Sequence, residues 1–344
     1  MLLKELTQIN GVSGDEGRVA DFIISQIRPY ADDITVDSMG NVIAFKKGRA
    51  TTGKTVLVSA HMDEVGLILS DITDKGFLKF RKVGGIDDRI LLTQRVNVLS
   101  DSGEVPGVIG IKAVHLQSKA EREKVVPSDS MYIDIGAKDK KDALKYVSKG
   151  DYIAFDSDYT EFGDGCIKAK ALDDRVGCAM MAELIKNTYD NDIYFCFNVQ
   201  EEVGLRGARV VAHRINADIA IVLESTSASD APHGEEHLYC TVQGQGPVIS
   251  IMDRTSYTDK LLGKFVADIA KDNGIAYQHK RTVSGGNDAG AIQTSASAVR
   301  VCNISLPCRY IHSPVSTAKK CDIDAMYKLA DKVLANIQNF EGDI

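Results

Sequence analysis

The chain has 344 residues, 44% hydrophobic and 26% charged, a composition that suits two domains or one large α/β unit with an insertion. Its net charge is −7, and its one dense basic cluster, "KDKKDALK" at 138–145, is interleaved with acids, which argues against nucleic-acid binding. No apolar run approaches the roughly 18–20 residues that span a bilayer, and "MLLKELTQIN" reads as an amphipathic helix start, not a signal peptide. Seven cysteines without a CxxC pair read as reduced thiols of a cytoplasmic protein, so a cysteine-held structural zinc is not supported.

Along the chain, Ser13 and Glu16 predict a capping box that opens a helix through "EGRVADFIISQIRPY". Two short strands follow, "DITVDS" and "NVIAFKK", joined by a Met-Gly-Asn turn. "KTVLVSA" (54–60) is a compact apolar run with β-branched residues, the pattern of a buried strand. From about Leu67 to Lys168 the texture changes to short β-like segments separated by Gly, Pro and Asp turns, among them "GLILSDI", "FLKFRKV", "RVNVLS", "VPGVIGI", "MYIDIGA" and "DYIAFDS". Only "KDKKDALKYVSKG" looks helical there. Alternation then resumes: helix "DDRVGCAMMAELIKN", strand "DIYFCFNVQ", helix "RGARVVAHRI", strand "ADIAIVLES" and helix "SYTDKLLGKFVADIAKDNG". After these come a Gly-rich loop, strand "SAVRVCNIS" and a C-terminal helix at about 322–340. This order predicts an α/β fold with a mainly parallel sheet flanked by helices and an inserted β-rich domain. The boundaries are 1–66 plus 168–344 for the discontinuous α/β domain and 67–167 for the insert.

In such sheets functional groups gather beyond the carboxyl ends of the strands. "VLVSA" runs into His61 and Asp63. "KALDDRVG" brings Asp173 and Asp174 to a helix start. "FCFNVQ" ends in the adjacent pair Glu201 and Glu202, "AIVL" ends in Glu224, and "RVCNISLP" runs on to His312. Singly, each has a plain structural explanation: a polar turn for HxD, an N-cap with a dipole-matching acid for the DD pair. Five elements each offering an acid or an imidazole to one sheet edge are harder to ascribe to accident. Two divalent ions about 3.5–4 Å apart, clamping a water and polarising a carbonyl, need one imidazole and one carboxylate each plus a bridging carboxylate. Ligands of nitrogen and carboxylate oxygen suit zinc or cobalt, with manganese as a third option. The spare acids supply a surrounding shell and a general base.

With these motifs in view, the sequence resembles the tetrahedral (TET) aminopeptidases, dinuclear metallopeptidases of the cytoplasm also called glutamyl or deblocking aminopeptidases and sometimes labelled endoglucanases. The collinear matches are "NGVSGDEG", "DSMGNVIA", "SAHMDEVG", "IDIGA", "ALDDRVG", "VQEEVGLRGA", "ASDAP", "GGNDAGAI" and "RYIHSP", spread over essentially the whole chain. The resemblance implies a zinc-peptidase-like catalytic domain, with the insert at 67–167 as its dimerisation domain. His61, Asp173 and Glu224 would hold one metal, and Glu202, Asp173 and His312 the other, with Asp173 bridging. Asp63 would orient His61, Glu201 would be the general base, and Gly286 and Asp288 of the Gly-rich loop would bind substrate. The implied partners are short peptides with a free N-terminus and further copies of the chain, as a dimer and a dodecamer of dimers. The family often has Asp where Glu224 stands, an acid where Ser316 stands and Thr where Asn287 stands. Competing readings are a dinuclear amidase or deacylase acting on small acylated molecules and a non-catalytic metal-binding assembly protein. Glycosidase activity is disfavoured, since it needs two carboxylates flanking a sugar bond and no metal pair.

Overall fold

The computed structural model describes residues 2–50, 52–232, 235–295 and 298–342, and these form an eight-stranded sheet, a three-stranded sheet and a closed barrel. Four strands make the centre of the large sheet: Asp192–Asn198, Thr55–His61, Ile219–Ser227 and Arg300–Cys308. They run parallel in that order. The expectation of a mainly parallel sheet holds for this centre only. Val42–Lys46 and Asp33–Val36 extend one edge antiparallel, and Val248–Ile249 pairs antiparallel at the other. The cause at the first edge is local. Asp37 Oδ1 accepts from the N–H groups of Met39, Gly40 and Asn41 at 2.9, 3.1 and 3.1 Å, closing a tight turn. A turn that short joins only antiparallel strands.

Side-chain alternation along each central strand separates two cores. Val56, Val58 and Ala60, with Ile193, Phe195, Phe197, Ile221, Leu223, Ile304 and Leu306, pack in the larger one, beneath helices Leu172–Leu184, Lys260–Asp272 and Lys320–Asn336. Leu57, Cys196, Ala220, Val222 and Val301 face the other way, against the short helices Arg206–Arg214 and Asp288–Gln293. On this second face the carboxyl ends of the strands turn polar: the same parity brings up Ser59 and His61, Asn198, Glu224 and Ser305. Register places Asn198 beside His61 and Glu224 beside Ser305.

Between Gly66 and Phe155 the chain forms the barrel, with strands ordered Gly66–Ile72, Leu78–Val83, Tyr132–Asp134, Gly103–Gly110, Arg95–Ser100 and Tyr152–Phe155. It has an apolar interior of its own, including Leu67, Leu69, Phe80, Val96, Val98, Ile133 and Ile153. The helix expected over "KDKKDALKYVSKG" is a single turn, Lys140–Ala143, capped by Asp139. Only Ala143 and Val147 of that stretch are buried, too narrow a face to offset the nucleation cost of a longer helix. Among the described residues, no helix is long and apolar enough to cross a membrane.

Two local features depart from the sequence expectation. The capping box at Ser13 and Glu16 does not form: the helix runs Gly17–Ile27 with no side-chain cap, because both side chains are committed to distant partners described below. The small sheet, Thr160–Phe162, Cys166–Ala169 and Ser316–Lys319, was not expected at all. It pairs Ala169 with Ser316 and so sets the segment leading to Asp173 beside the one following His312.

Candidate active site

His61 ends its strand almost fully buried, with Nδ1 3.1 Å from the carbonyl oxygen of Asp63 and 3.4 Å from Asp63 Oδ1. Its Nε2 is 3.4 Å from Asp173 Oδ1 and 3.8 Å from Glu224 Oε2. The Nε2 of His312 lies 3.3 Å from Asp173 Oδ2 and 3.4 Å from Glu202 Oε2. Asp173 therefore offers one oxygen to each imidazole. On the far side of His312, Nδ1 sits 3.2 Å from the carbonyl oxygen of Gly85, so the barrel segment contributes to this ring's orientation.

The adjacent aspartates divide their work. Both have non-helical torsions, with φ/ψ of −87°/107° and −122°/43°, so regular helix begins after them. Asp174 Oδ1 accepts from the Gly177 N–H at 3.0 Å, as an N-cap does, and Oδ2 accepts from the His61 N–H at 3.3 Å. Gly177 is required here, since a Cβ would stand 2.5 Å from the Asp174 carboxylate. Asp173, relieved of capping, points into the cluster.

The adjacent glutamates converge for a different reason. Their strand ends at Asn198, and Gln200 adopts a left-handed φ of 57°, which turns the chain. Asp63 then fixes the turn, Oδ1 accepting from the Glu201 N–H at 3.0 Å and Oδ2 from the Glu202 N–H at 3.1 Å. Glu201 lines a cavity of about 240 Å³ with His61, Asp173, Glu224 and His312. Glu202 lines a small recess behind it with Asp173 and His312. A larger open groove of about 840 Å³ on the outer face, between the Arg206–Arg214 and Asp288–Gln293 helices, holds none of these residues.

Electrostatically the cluster is dominated by carboxylates. Burial, reinforced by neighbouring carboxylates, pushes Glu201 and Glu224 well above the usual range and Glu202 up to about 7. Burial disfavours the imidazolium of His61, yet Glu224, Asp173 and Asp63 outweigh it and raise the ring well above its ordinary value. The same contest, with Asp173 and Glu202 prevailing, carries His312 to about 9. Asp173 Oδ1 and Glu224 Oε1 are buried without a hydrogen-bond partner. Orphaned carboxylate oxygens among crowded acids are what a cation would satisfy, and so the donors fit divalent ions. Ligand atoms lie within 4.8 Å of one another in His61–Asp173–Glu202 and in His61–Asp174–Glu224. Of these, Asp174 already spends both oxygens on backbone N–H groups.

In the Gly-rich loop, Gly286 is on the cavity wall, where a Cβ would meet Thr255 at 2.4 Å. Asp288, expected to bind substrate, lies below the cavity wall and not on it. It is fully buried beneath the strand ends, accepting from Asn198 Nδ2 at 2.8 Å and Ser59 Oγ at 3.4 Å, and does not line the cavity. Three arginines of the surrounding segments, Arg254, Arg281 and Arg309, do not reach the cavity. Arg309 pairs twice with Asp230, at 2.8 and 2.7 Å, Arg281 donates to the Glu236 carbonyl, and the side chain of Arg254 is exposed. Lys280, which sequence reasoning passed over, is among the described residues the one Lys or Arg on the cavity wall. Its Nζ donates to the Ser284 carbonyl at 2.6 Å. A lysine one residue before an arginine in a strand-to-loop stretch carries no local signal of that position.

Acids and imidazoles gathered at the carboxyl ends of a parallel strand set define a candidate metallohydrolase centre. Comparison with known proteins carries this to a family, for residues 40–329 match the model of the M42 glutamyl aminopeptidases. The chain is 31% identical over 343 residues to the lysyl aminopeptidase of Pyrococcus furiosus, covering 98% of this chain and 97% of that one. Its structure is similar to aminopeptidase APDkam598 from Desulfurococcus kamchatkensis, with a TM-score of 0.94 at 35% identity over 100% and 97% of the two chains. It is also similar to the Pyrococcus horikoshii TET1 peptidase, which can assemble into a tetrahedron or a large octahedral shell. There the TM-score is 0.86 at 36% identity over 96% and 98%. The chain belongs to the M42 glutamyl aminopeptidase family, and the resemblance to the TET aminopeptidases read from its motifs is borne out. It is accordingly an aminopeptidase, a hydrolase of peptide bonds.

Proposed function

We propose that the chain removes N-terminal residues from short peptides at a centre of two divalent ions, zinc or cobalt with manganese as the third option. His61, Asp173 and Glu224 would hold one ion and His312, Glu202 and Asp173 the other. The observation that carries this is Asp173, whose oxygens face different imidazoles at 3.4 and 3.3 Å while Oδ1 has no hydrogen-bond partner. Ions held there supply a water of lowered pKa and a Lewis-acid hold on the scissile carbonyl.

The chain's own residues do the rest. Glu201 projects into the cavity, takes a proton from the attacking water and delivers it to the leaving amine, a role that typically contributes roughly 10²–10⁴-fold. Asp63 holds the turn that presents Glu201 and keeps its carboxyl beside Nδ1 of His61. Gly286 leaves room for substrate backbone, and Lys280 favours an acidic N-terminal side chain, its ammonium facing an otherwise acid-rich cavity. The insert at 67–167 is proposed as the dimerisation domain, with 1–66 plus 168–344 as the catalytic one. The barrel's separate core supports this, as do its exposed Val108, Val114, Leu116 and Val125. The tetrahedral and octahedral shells that the Pyrococcus horikoshii relative can form support self-association beyond a dimer.

The test is a panel of aminoacyl chromogenic substrates on chelated protein, with zinc, cobalt or manganese added back, run beside the N-acetylated forms. Cation-dependent turnover of free substrates and none of acetylated ones is expected. Preferred cleavage of the acetylated forms would transfer the site to the amidase reading.

A further inference from the structure

The segment Gly11–Glu16 precedes the first long helix and contains no residue assigned above to chemistry. Yet it lies against the centre. Val12 bridges to Glu64, and Ser13 N–H donates to the Glu64 carbonyl at 3.2 Å, so the loop runs as an extra parallel rung beside the residues that follow His61. From this rung two buried side chains reach toward the acid pair. Ser13 Oγ donates to Asp63 Oδ2 at 2.6 Å, the same oxygen that accepts the Glu202 N–H. Glu16 Oε1 accepts from the Gly14 N–H at 2.7 Å and from the Gln200 N–H at 3.0 Å. Gln200 is the left-handed residue immediately before Glu201.

We infer that Ser13 and Glu16 are positioning residues that fix the Gln200–Glu202 turn from the N-terminal side, so that the loop Gly11–Glu16 is part of the active centre. This rests on the reading of Glu201 as base and Glu202 as ligand. The turn is held at three successive N–H groups: Glu16 takes Gln200, and Asp63, itself anchored by Ser13, takes Glu201 and Glu202. With Glu16 removed, the Gln200 N–H loses its acceptor, and the residue in the least favourable torsion loses its restraint. The loop is in turn held by the barrel. Gly14 has φ +99°, and Tyr152 closes over it so tightly that a Cβ would stand 2.3 Å from the tyrosine hydroxyl. Burial raises the Glu16 carboxyl to about 7, as expected of an acid kept for its oxygen rather than for exposure to solvent.

The experiment compares Glu16→Ala, Glu16→Gln and Ser13→Ala with wild type for kcat, KM and bound metal in the cation-loaded protein, with Glu201→Gln alongside. Glu16→Ala is expected to lose about 10–100-fold in kcat with KM within about threefold, as a displaced reacting group does. Glu16→Gln keeps an oxygen at Oε1 and is expected to stay within about threefold of wild-type kcat. Wild-type kcat in Glu16→Ala, or equal loss in the Gln and Ala variants, overturns the inference. If Glu16→Ala does not fold, Ser13→Ala carries the test: roughly tenfold lower kcat at unchanged KM is expected, and unchanged kcat overturns it. An active Glu201→Gln would instead sink the underlying reading of the site, whatever Glu16 does.

Discussion

Asp63 and Glu202 meet through the backbone: Asp63 Oδ2 accepts the Glu202 N–H at 3.1 Å, while Oδ1 takes that of Glu201. One carboxylate thus sets both acids of the pair and also lies beside His61. Asp63→Asn replaces one of the two acceptors by an NH₂ that cannot accept, and leaves that buried N–H unmatched. Turnover is expected to fall by about 10–100-fold with metal content largely kept, since the proposed ligands are intact. Steady-state kinetics with elemental analysis checks both. Loss of metal in proportion to activity would show that Asp63 acts on binding instead.

Metal-free protein should be most stable at mildly acidic pH. Glu202 and Glu16 titrate near 7 when folded, against an ordinary 4.5, so folding binds their protons more tightly. That stability is complete below about 4.5 and is lost as pH rises through 7. His312, near 9 against 6.5, adds stability that is present below 6.5 and lost as pH rises through 9. Both signs agree, so the Tm of chelated protein should fall between about pH 5 and 9. A divalent ion competes with the protons of Glu202 and His312, so the gain in Tm from adding it should grow over the same range. Differential scanning fluorimetry with and without chelator measures this. A Tm of chelated protein that rises with pH would contradict the electrostatic account of the site.

Lys280 should govern side-chain preference. With its ammonium on the cavity wall and, among the described residues, no ion pair of its own, it is placed to meet an acidic N-terminal residue. Lys280→Met is expected to lower kcat/KM for glutamyl relative to leucyl substrates by roughly 10-fold, the scale of one charge-assisted contact. An unchanged ratio would place recognition elsewhere in the cavity.

The strand ends and their cargo were legible because alternation and β-branched runs are local patterns. His61, Glu201, Glu202 and Glu224 all come after apolar runs, and the β-rich insert showed in its short segments, though not its closure into a barrel. What stayed hidden depends on contacts between distant parts of the chain. Ser13 and Glu16 have the spacing of a capping box, and only the fold reveals that Asp63 and Gln200 outcompete the helix for them. The Asp173–Asp174 pair looks like a cap, and half of it is one. Asp288 sits in a Gly-rich loop motif, yet Asn198 and Ser59 draw it beneath the sheet end. The three-stranded sheet pairs Cys166–Ala169 with Ser316–Lys319, too far apart for any window of sequence to join.

Glu201 and Glu202 are proposed to divide the labour, Glu201 moving the proton and Glu202 holding an ion. Glu201→Gln tests this most directly, by turnover and metal stoichiometry on the same preparation. Metal content near that of wild type is expected, with turnover reduced roughly 10²–10⁴-fold. Retention of most of the activity at full metal content would contradict it.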